Sequence, residues 1–116
     1  MNTAYTVRIT DETFAQEVDQ YQGLAMVDFG ADWCAPCRIV APVVEQLAAD
    51  YDGRVKVGAV DVEANPATAA RFAIRNLPTI LFFNAGQQVD ALVGAVPRHV
   101  FEQKLEQLLA QQDGAK

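Results

Sequence analysis

The sequence predicts an α/β fold in which a mixed sheet of about five strands lies between two layers formed by about four helices. Three observations predict it. Leu24 to Phe29, Val55 to Val62 and Thr79 to Phe83 are near-continuous apolar runs, the pattern of strands covered on both faces. The stretches between them repeat apolar residues at three and four positions and are long enough to be helical crossovers that return the chain parallel. After the third run, Asn84-Ala85-Gly86-Gln87 leads directly into Gln88 to Val93, a connection short enough only for an antiparallel hairpin.

Each element has its own signal. Tyr5 to Ile9 alternates weakly and is expected as a short edge strand. Thr10 or Asp11 then caps a helix carrying Phe14, Val18 and Tyr21 on one face and ending near Gly23. The strand Leu24 to Phe29 follows, interrupted by the charge of Asp28. From Cys34 the pattern is helical, with Ile39, Val40, Val43, Val44, Leu47 and Ala48 on its apolar stripe, and it closes around Asp52-Gly53. Pro42 lies inside this helix and should kink it, because an interior proline removes one backbone bond. Val55 to Val62 is the next strand, after which Asn65-Pro66 opens a short helix holding Ala69, Ala70, Phe72 and Ala73. Asn76-Leu77-Pro78-Thr79 breaks the pattern before the third strand and its hairpin partner. Pro97 opens a last helix whose Val100, Phe101, Leu105, Leu108 and Leu109 form one stripe.

Composition bounds the function. A chain of 116 residues that is 51% hydrophobic can build one core without metals or several disulfides, so residues 1–116 are expected to form a single domain, with a polar tail over 112–116. A formal charge of −6 argues against nucleic acid or an anionic membrane as partner. Met1 to Thr10 lacks a basic leader and an apolar stretch, and no run approaches the roughly 18 residues of a membrane span. The expected location is cytoplasmic, where a permanent structural disulfide is uncommon.

That expectation gives weight to the only two cysteines, Cys34 and Cys37, at the point where a strand hands over to a helix. Residues i and i+3 on a helix lie about 5–6 Å apart at Cβ, so a small movement closes or opens a disulfide. A ring this short stabilises the fold by roughly 2 kcal/mol, the low end for a disulfide, which favours reversible chemistry over bracing. Metal binding and an inert pair are the other readings. Zinc wants about four Cys or His ligands; the chain offers two cysteines and His99, which is expected to face solvent. No glycine-rich phosphate fingerprint follows any strand.

At the start of a helix, unpaired backbone donors and the helix dipole stabilise a thiolate, which makes Cys34 the expected nucleophile. Cys37, one turn deeper, is placed to resolve a mixed disulfide. Arg38 adds positive charge, and Pro36 restricts the backbone between the thiols. Asp28, a carboxylate in a covered strand, must be paired, hydrated or protonated. It is read as a general base for Cys37, against the simpler reading of a strand-end side chain in solvent. Pro78, immediately before a strand, is a candidate for a cis bond that would place Leu77 against the thiols.

Trp33-Cys34-Ala35-Pro36-Cys37 after Val27-Asp28-Phe29, then Asp61 with Asn65-Pro66, Ile74-Arg75-Asn76-Leu77-Pro78-Thr79 and Val93-Gly94-Ala95, together resemble the thioredoxin family. The resemblance runs in order from about Leu24 to Leu109. It implies a thioredoxin-like three-layer sandwich and a protein-disulfide reductase with no bound cofactor beyond the redox-active disulfide Cys34–Cys37. It implies that Cys34 attacks, Cys37 resolves, Asp28 handles protons and Pro78 is cis. It further implies a flat apolar docking surface of Trp33, Pro36, Leu77, Pro78, Gly94 and Ala95. A thioredoxin reductase, an NADPH-dependent flavoprotein, would recharge the protein, which is expected to be a monomer acting on protein disulfide substrates.

Three positions depart from the common family pattern and are expected to tune the dithiol along with Arg38. Ala35 replaces the usual glycine between the cysteines, a substitution that favours helix by about 1 kcal/mol. Gly30 stands where the family usually has tryptophan, which removes a large side chain from the floor of the site and is expected to change water access to Asp28. Ala59 stands where a lysine is frequent, so Asp28 is expected to be a weaker acid than in a lysine-containing relative. Two other functions fit the same fold: a non-catalytic binding module using the apolar face, and an oxidase or isomerase working outside the cytosol.

Overall fold

The computed structural model describes residues 5–114. Its five strands are β1 (Val7–Arg8), β2 (Leu24–Gly30), β3 (Val55–Asp61), β4 (Thr79–Asn84) and β5 (Gln87–Val93), in the spatial order β1-β3-β2-β4-β5. β1 and β2 run parallel to β3, while β4 is antiparallel to β2 and β5 antiparallel to β4, so the sheet is mixed as expected. Three α-helices, α1 (Ala35–Asp50), α2 (Pro66–Arg71) and α3 (Arg98–Gly114), and a π-helical segment, Ala15–Asp19, cover it.

β2 is the centre of the sheet, and alternation along it separates two cores. Leu24 and Met26 pack with Val40, Val44 and Leu47 of α1 and Phe101 and Leu105 of α3. Ala25, Val27 and Phe29 point the other way, toward Val18, Phe14 and Phe72. There the rings of Phe14, Phe29, Phe72 and Phe83 meet in tilted and edge contacts with centroids 5.3 to 6.0 Å apart. Asp28 therefore belongs to the α1/α3 face. On that face one cross-strand row reads Arg8, Ala59, Asp28, Ile80 and Leu92 from edge to edge.

Several local expectations are corrected. The first strand is only Val7–Arg8 rather than Tyr5 to Ile9, and the segment after it is a π-helical turn rather than a regular helix. Thr10 serves that segment, exchanging bonds with Thr13, but Asp11 does not cap it. The Asp11 carboxylate instead accepts the backbone N–H groups of Ala67 and Thr68 and the Thr68 hydroxyl, closing the N-terminus of α2. Those three bonds hold the carboxyl below its ordinary range despite partial desolvation. In return Asn65 Oδ1 accepts the Asp11 N–H at 2.9 Å.

Ile39 was expected on the apolar stripe of the second helix but is 67% exposed; the buried face of α1 is Val40, Val44, Leu47 and Ala48. α1 continues through Pro42 as one element, and β3 ends at Asp61, one residue before Val62. The hairpin turn is Ala85-Gly86, both at positive φ, and a Gly86 side chain would strike the backbone carbonyl of Asp19. α3 runs to Gly114, into the stretch set apart as a polar tail, whose last residues, 115–116, lie outside the described residues. His99 is exposed, as expected.

Candidate active site

β2 stops at Gly30, and four residues turn the chain into α1. Cys34 is the residue just before the helix, with extended backbone at φ −89° and ψ 110°, and Pro36 occupies the first turn, where its missing N–H costs nothing. The Cys37 backbone N–H donates to Cys34 Sγ at 3.2 Å. An otherwise unpaired donor of the helix start is thus aimed at the first sulfur, which favours its anionic form. A disulfide joins Cys34 and Cys37, whose Cα atoms are 5.3 Å apart. The two cysteines are 5% and 7% exposed, so neither sulfur is freely open to solvent.

Each sulfur borders a different recess. On the Cys34 side Trp33, Pro36, Ile74, Arg75 and Leu77 line a shallow groove, with Ala35 at its edge. Trp33 is 65% exposed and its indole N–H donates to Glu63 Oε2 at 3.2 Å. Leu77 packs against Ala31, Cys34 and Cys37. The Leu77–Pro78 peptide is cis, and the Pro78 carbonyl accepts the Gly94 N–H at 2.9 Å, tying the loop after β5 to the loop before β4. Ala95 follows on the surface, near a 55%-exposed Val93 that the sequence analysis placed in the same motif but not in the docking surface.

On the Cys37 side lies a cleft of about 320 Å³ bordered by Asp28, Gly30, Ala59 and Cys37, with Arg8, Arg38, Asp32 and Asp61 among its charged neighbours. A Cβ on Gly30 would sit 3.3 Å from Cys37 Sγ and 4.0 Å from Asp28 Oδ1, so the missing side chain is what leaves room between the two. Ala59 stands beside Asp28 in the β2–β3 register and offers it no charge. Asp28 is buried, its Oδ1 has no hydrogen-bond partner among the described residues, and desolvation pushes its carboxyl up to about 7. The solvent-facing reading of this aspartate is therefore wrong. Arg38 is fixed at the rim, donating from its guanidinium to the Asp32 carbonyl at 2.6 Å.

Sequence reasoning missed Arg8 and Arg75. Alternation along β1 places Arg8 on the Asp28 face, but only the pairing of β1 with β3 brings it to the cleft. Arg75 lay inside a motif read for its proline. Among the described residues no group of three or more His, Cys, Asp and Glu side chains converges as a metal site would require, and no helix is long and apolar enough to cross a membrane.

A disulfide-bonded i, i+3 cysteine pair with a backbone N–H aimed at one sulfur and a buried carboxyl titrating near neutrality beside it is equipped for thiol–disulfide exchange. The non-catalytic binding module, which has no use for this polarity, is not favoured. The thioredoxin family model matches residues 5–107. Thioredoxin 1 of Nostoc sp. is 47% identical over 102 residues, covering 88% of this chain and 95% of that protein. Thioredoxins of Synechocystis sp. and Staphylococcus aureus are each 42% identical, covering 90% and 89% of this chain and 97% of each relative. With the fold, the dithiol and relatives matched along nearly their whole length, this chain belongs to the thioredoxin family and is a thiol–disulfide oxidoreductase that reduces protein disulfides.

Proposed function

We propose that Cys34 is the attacking thiolate, that Cys37 resolves the mixed disulfide, and that Asp28 takes the Cys37 proton through water in the Gly30 cleft. The observation that carries the assignment is the Cys37 N–H donated to Cys34 Sγ, which singles out one sulfur of the pair for charge. The Cys34 thiolate forms a bond to one sulfur of a substrate disulfide and expels the other as a thiolate. Cys37, deprotonated by Asp28, then attacks Cys34 Sγ, so the substrate leaves reduced and the protein holds the disulfide. An extended substrate segment lies across Trp33, Pro36, Leu77, Pro78, Gly94 and Ala95 and pairs with the Leu77 backbone.

Ala35, Arg38, Gly30 and Ala59 set the potential and the proton affinity of this centre. A thioredoxin reductase recharges the protein, which works as a monomer in the cytoplasm, carrying electrons for redox homeostasis. Its acidic charge favours protein partners over nucleic acid or membrane. The test is insulin reduction followed by turbidity. Cys34→Ser should abolish it, whereas Cys37→Ser should accumulate a substrate adduct on Cys34; an adduct on Cys37 alone would reverse the order of attack.

A further inference from the structure

The two cysteines line different recesses, and the one at Cys37 has its room because residue 30 has no side chain. Any Cβ there would press on Cys37 Sγ at 3.3 Å, and a larger side chain would fill the space in front of it. A cleft of about 320 Å³ is at the lower end of the roughly 300–1,000 Å³ typical of small-molecule sites and is too small to take in a folded substrate. Its charges are mixed. Arg8 and Arg38 supply cations, while Asp32 and Asp61 supply carboxylates. Asp28, whose buried Oδ1 has no partner among the described residues, lines the same cleft as Cys37, and both lie within 4.0 Å of where a Gly30 side chain would begin.

Resting on the dithiol exchange proposed above, we propose that this cleft admits a small zwitterionic thiol or disulfide of amino-acid type, which exchanges directly with Cys37 Sγ. The ligand carboxylate is held by Arg8 and Arg38 and its ammonium group by Asp32 and Asp61. In the reducing direction, Asp28 accepts the proton of the incoming thiol, the new bond forms to Cys37 Sγ, and the Sγ–Sγ bond breaks with Cys34 leaving as a thiolate. Cys34 is the better leaving group, because the Cys37 N–H already points at its sulfur. A second thiol, giving its proton to solvent, attacks the ligand sulfur of the adduct. It releases the small disulfide and a Cys37 thiolate that recovers the proton from Asp28. Two thiols are oxidised and one protein disulfide is reduced. The protein therefore has a way to be recharged that leaves the Trp33–Leu77 groove untouched.

The test uses Cys34→Ser, which leaves Cys37 as the only thiol, and follows adduct mass with time after addition of cystine, cystamine or dithiodiglycolate. Cystine should react about ten-fold faster than the dication or the dianion, since only it matches both signs in the cleft. Arg8→Gln should remove most of that preference. Gly30→Leu in the same background should slow cystine about ten-fold, and Ala41→Gln, on the helical wall of the cleft, serves if the leucine variant does not fold. Equal rates for the three disulfides, or an undiminished rate in both narrowed variants, would overturn the proposal. Insulin reduction by the unmodified protein, measured alongside, separates this outcome from failure of the dithiol reading itself.

Discussion

The two faces of the central sheet are built from the same strands and do different work. The face toward α2 and the π-helical segment is closed hydrocarbon, with Phe29, Phe83 and Val27 all buried to within 1% and the Phe14, Phe29, Phe72 and Phe83 rings locked together. The face toward α1 and α3 is equally apolar over Leu24, Met26, Ile80 and Phe82, then at its upper end accepts Asp28, an unpaired carboxylate beneath the dithiol. Moving one residue along β2, from Val27 to Asp28, changes face and changes purpose. The aromatic face supplies stability, and part of that stability is offset by the carboxylate that the chemistry needs.

The contrast breaks most visibly if the aromatic face is opened. Phe83→Ala removes a ring that touches Phe14 and Phe72 and should cost about 3–5 kcal/mol, read as a fall in the urea midpoint with little change in slope. Exchange at the cysteine pair should continue in whatever fraction stays folded, because none of the four rings lines either recess beside the sulfurs. Loss of specific activity in the folded fraction would mean the two faces are not separable.

Asp28 supplies the next largest effect, and its sign follows from linkage. Its folded carboxyl is raised from 3.8 to about 7, so the folded state holds the proton more firmly than the unfolded state. The stability contributed by the neutral acid is whole below about pH 4 and is lost as pH rises through 7, amounting to about 4 kcal/mol. Asp28→Asn, an uncharged side chain of the same shape, should therefore be more stable than the parent at pH 8 by up to that amount. Below pH 4 the two should converge. Parallel stability curves across this window would show that Asp28 is not held in a costly charged form.

Much of this arrangement is legible in the sequence, and the limits are physical. The strand and helix order depends on apolar periodicity, a local property, and Asp28 announces itself as a charge inside an apolar run. The dithiol is legible because its spacing is set by the first turn of a single helix. What failed depends on partners far away in the chain. Asp11 reads as a cap for the residues next to it, yet its carboxylate serves Ala67 and Thr68. Ile39 fits a helical stripe, but it stands one position off the row Cys37, Val40, Val44 and Leu47 that faces the core, and is exposed. The row Arg8, Ala59, Asp28 requires the register of three strands, which no single segment encodes.

That row also carries the smallest predicted effect and the sharpest test of what the α1 face is for. Ala59 is Asp28's neighbour in the β2–β3 pair, one strand spacing of about 4.8 Å away. A lysine there would place its ammonium in the cleft beside the carboxylate. At about 5 Å and an effective dielectric of about 20 the attraction is about 3 kcal/mol, or about two pKa units in full burial. Ala59 is half-buried and its cleft is open to water, which screens roughly half of that. Ala59→Lys should therefore bring the Asp28 midpoint from about 7 to about 6 in an NMR titration of its carboxyl carbon. The same change should move the alkaline loss of stability down by the same interval, because both report one proton. A midpoint that stays at 7 or rises would mean that the lysine turns away into solvent, and that the missing cation is not what sets the acidity of this site.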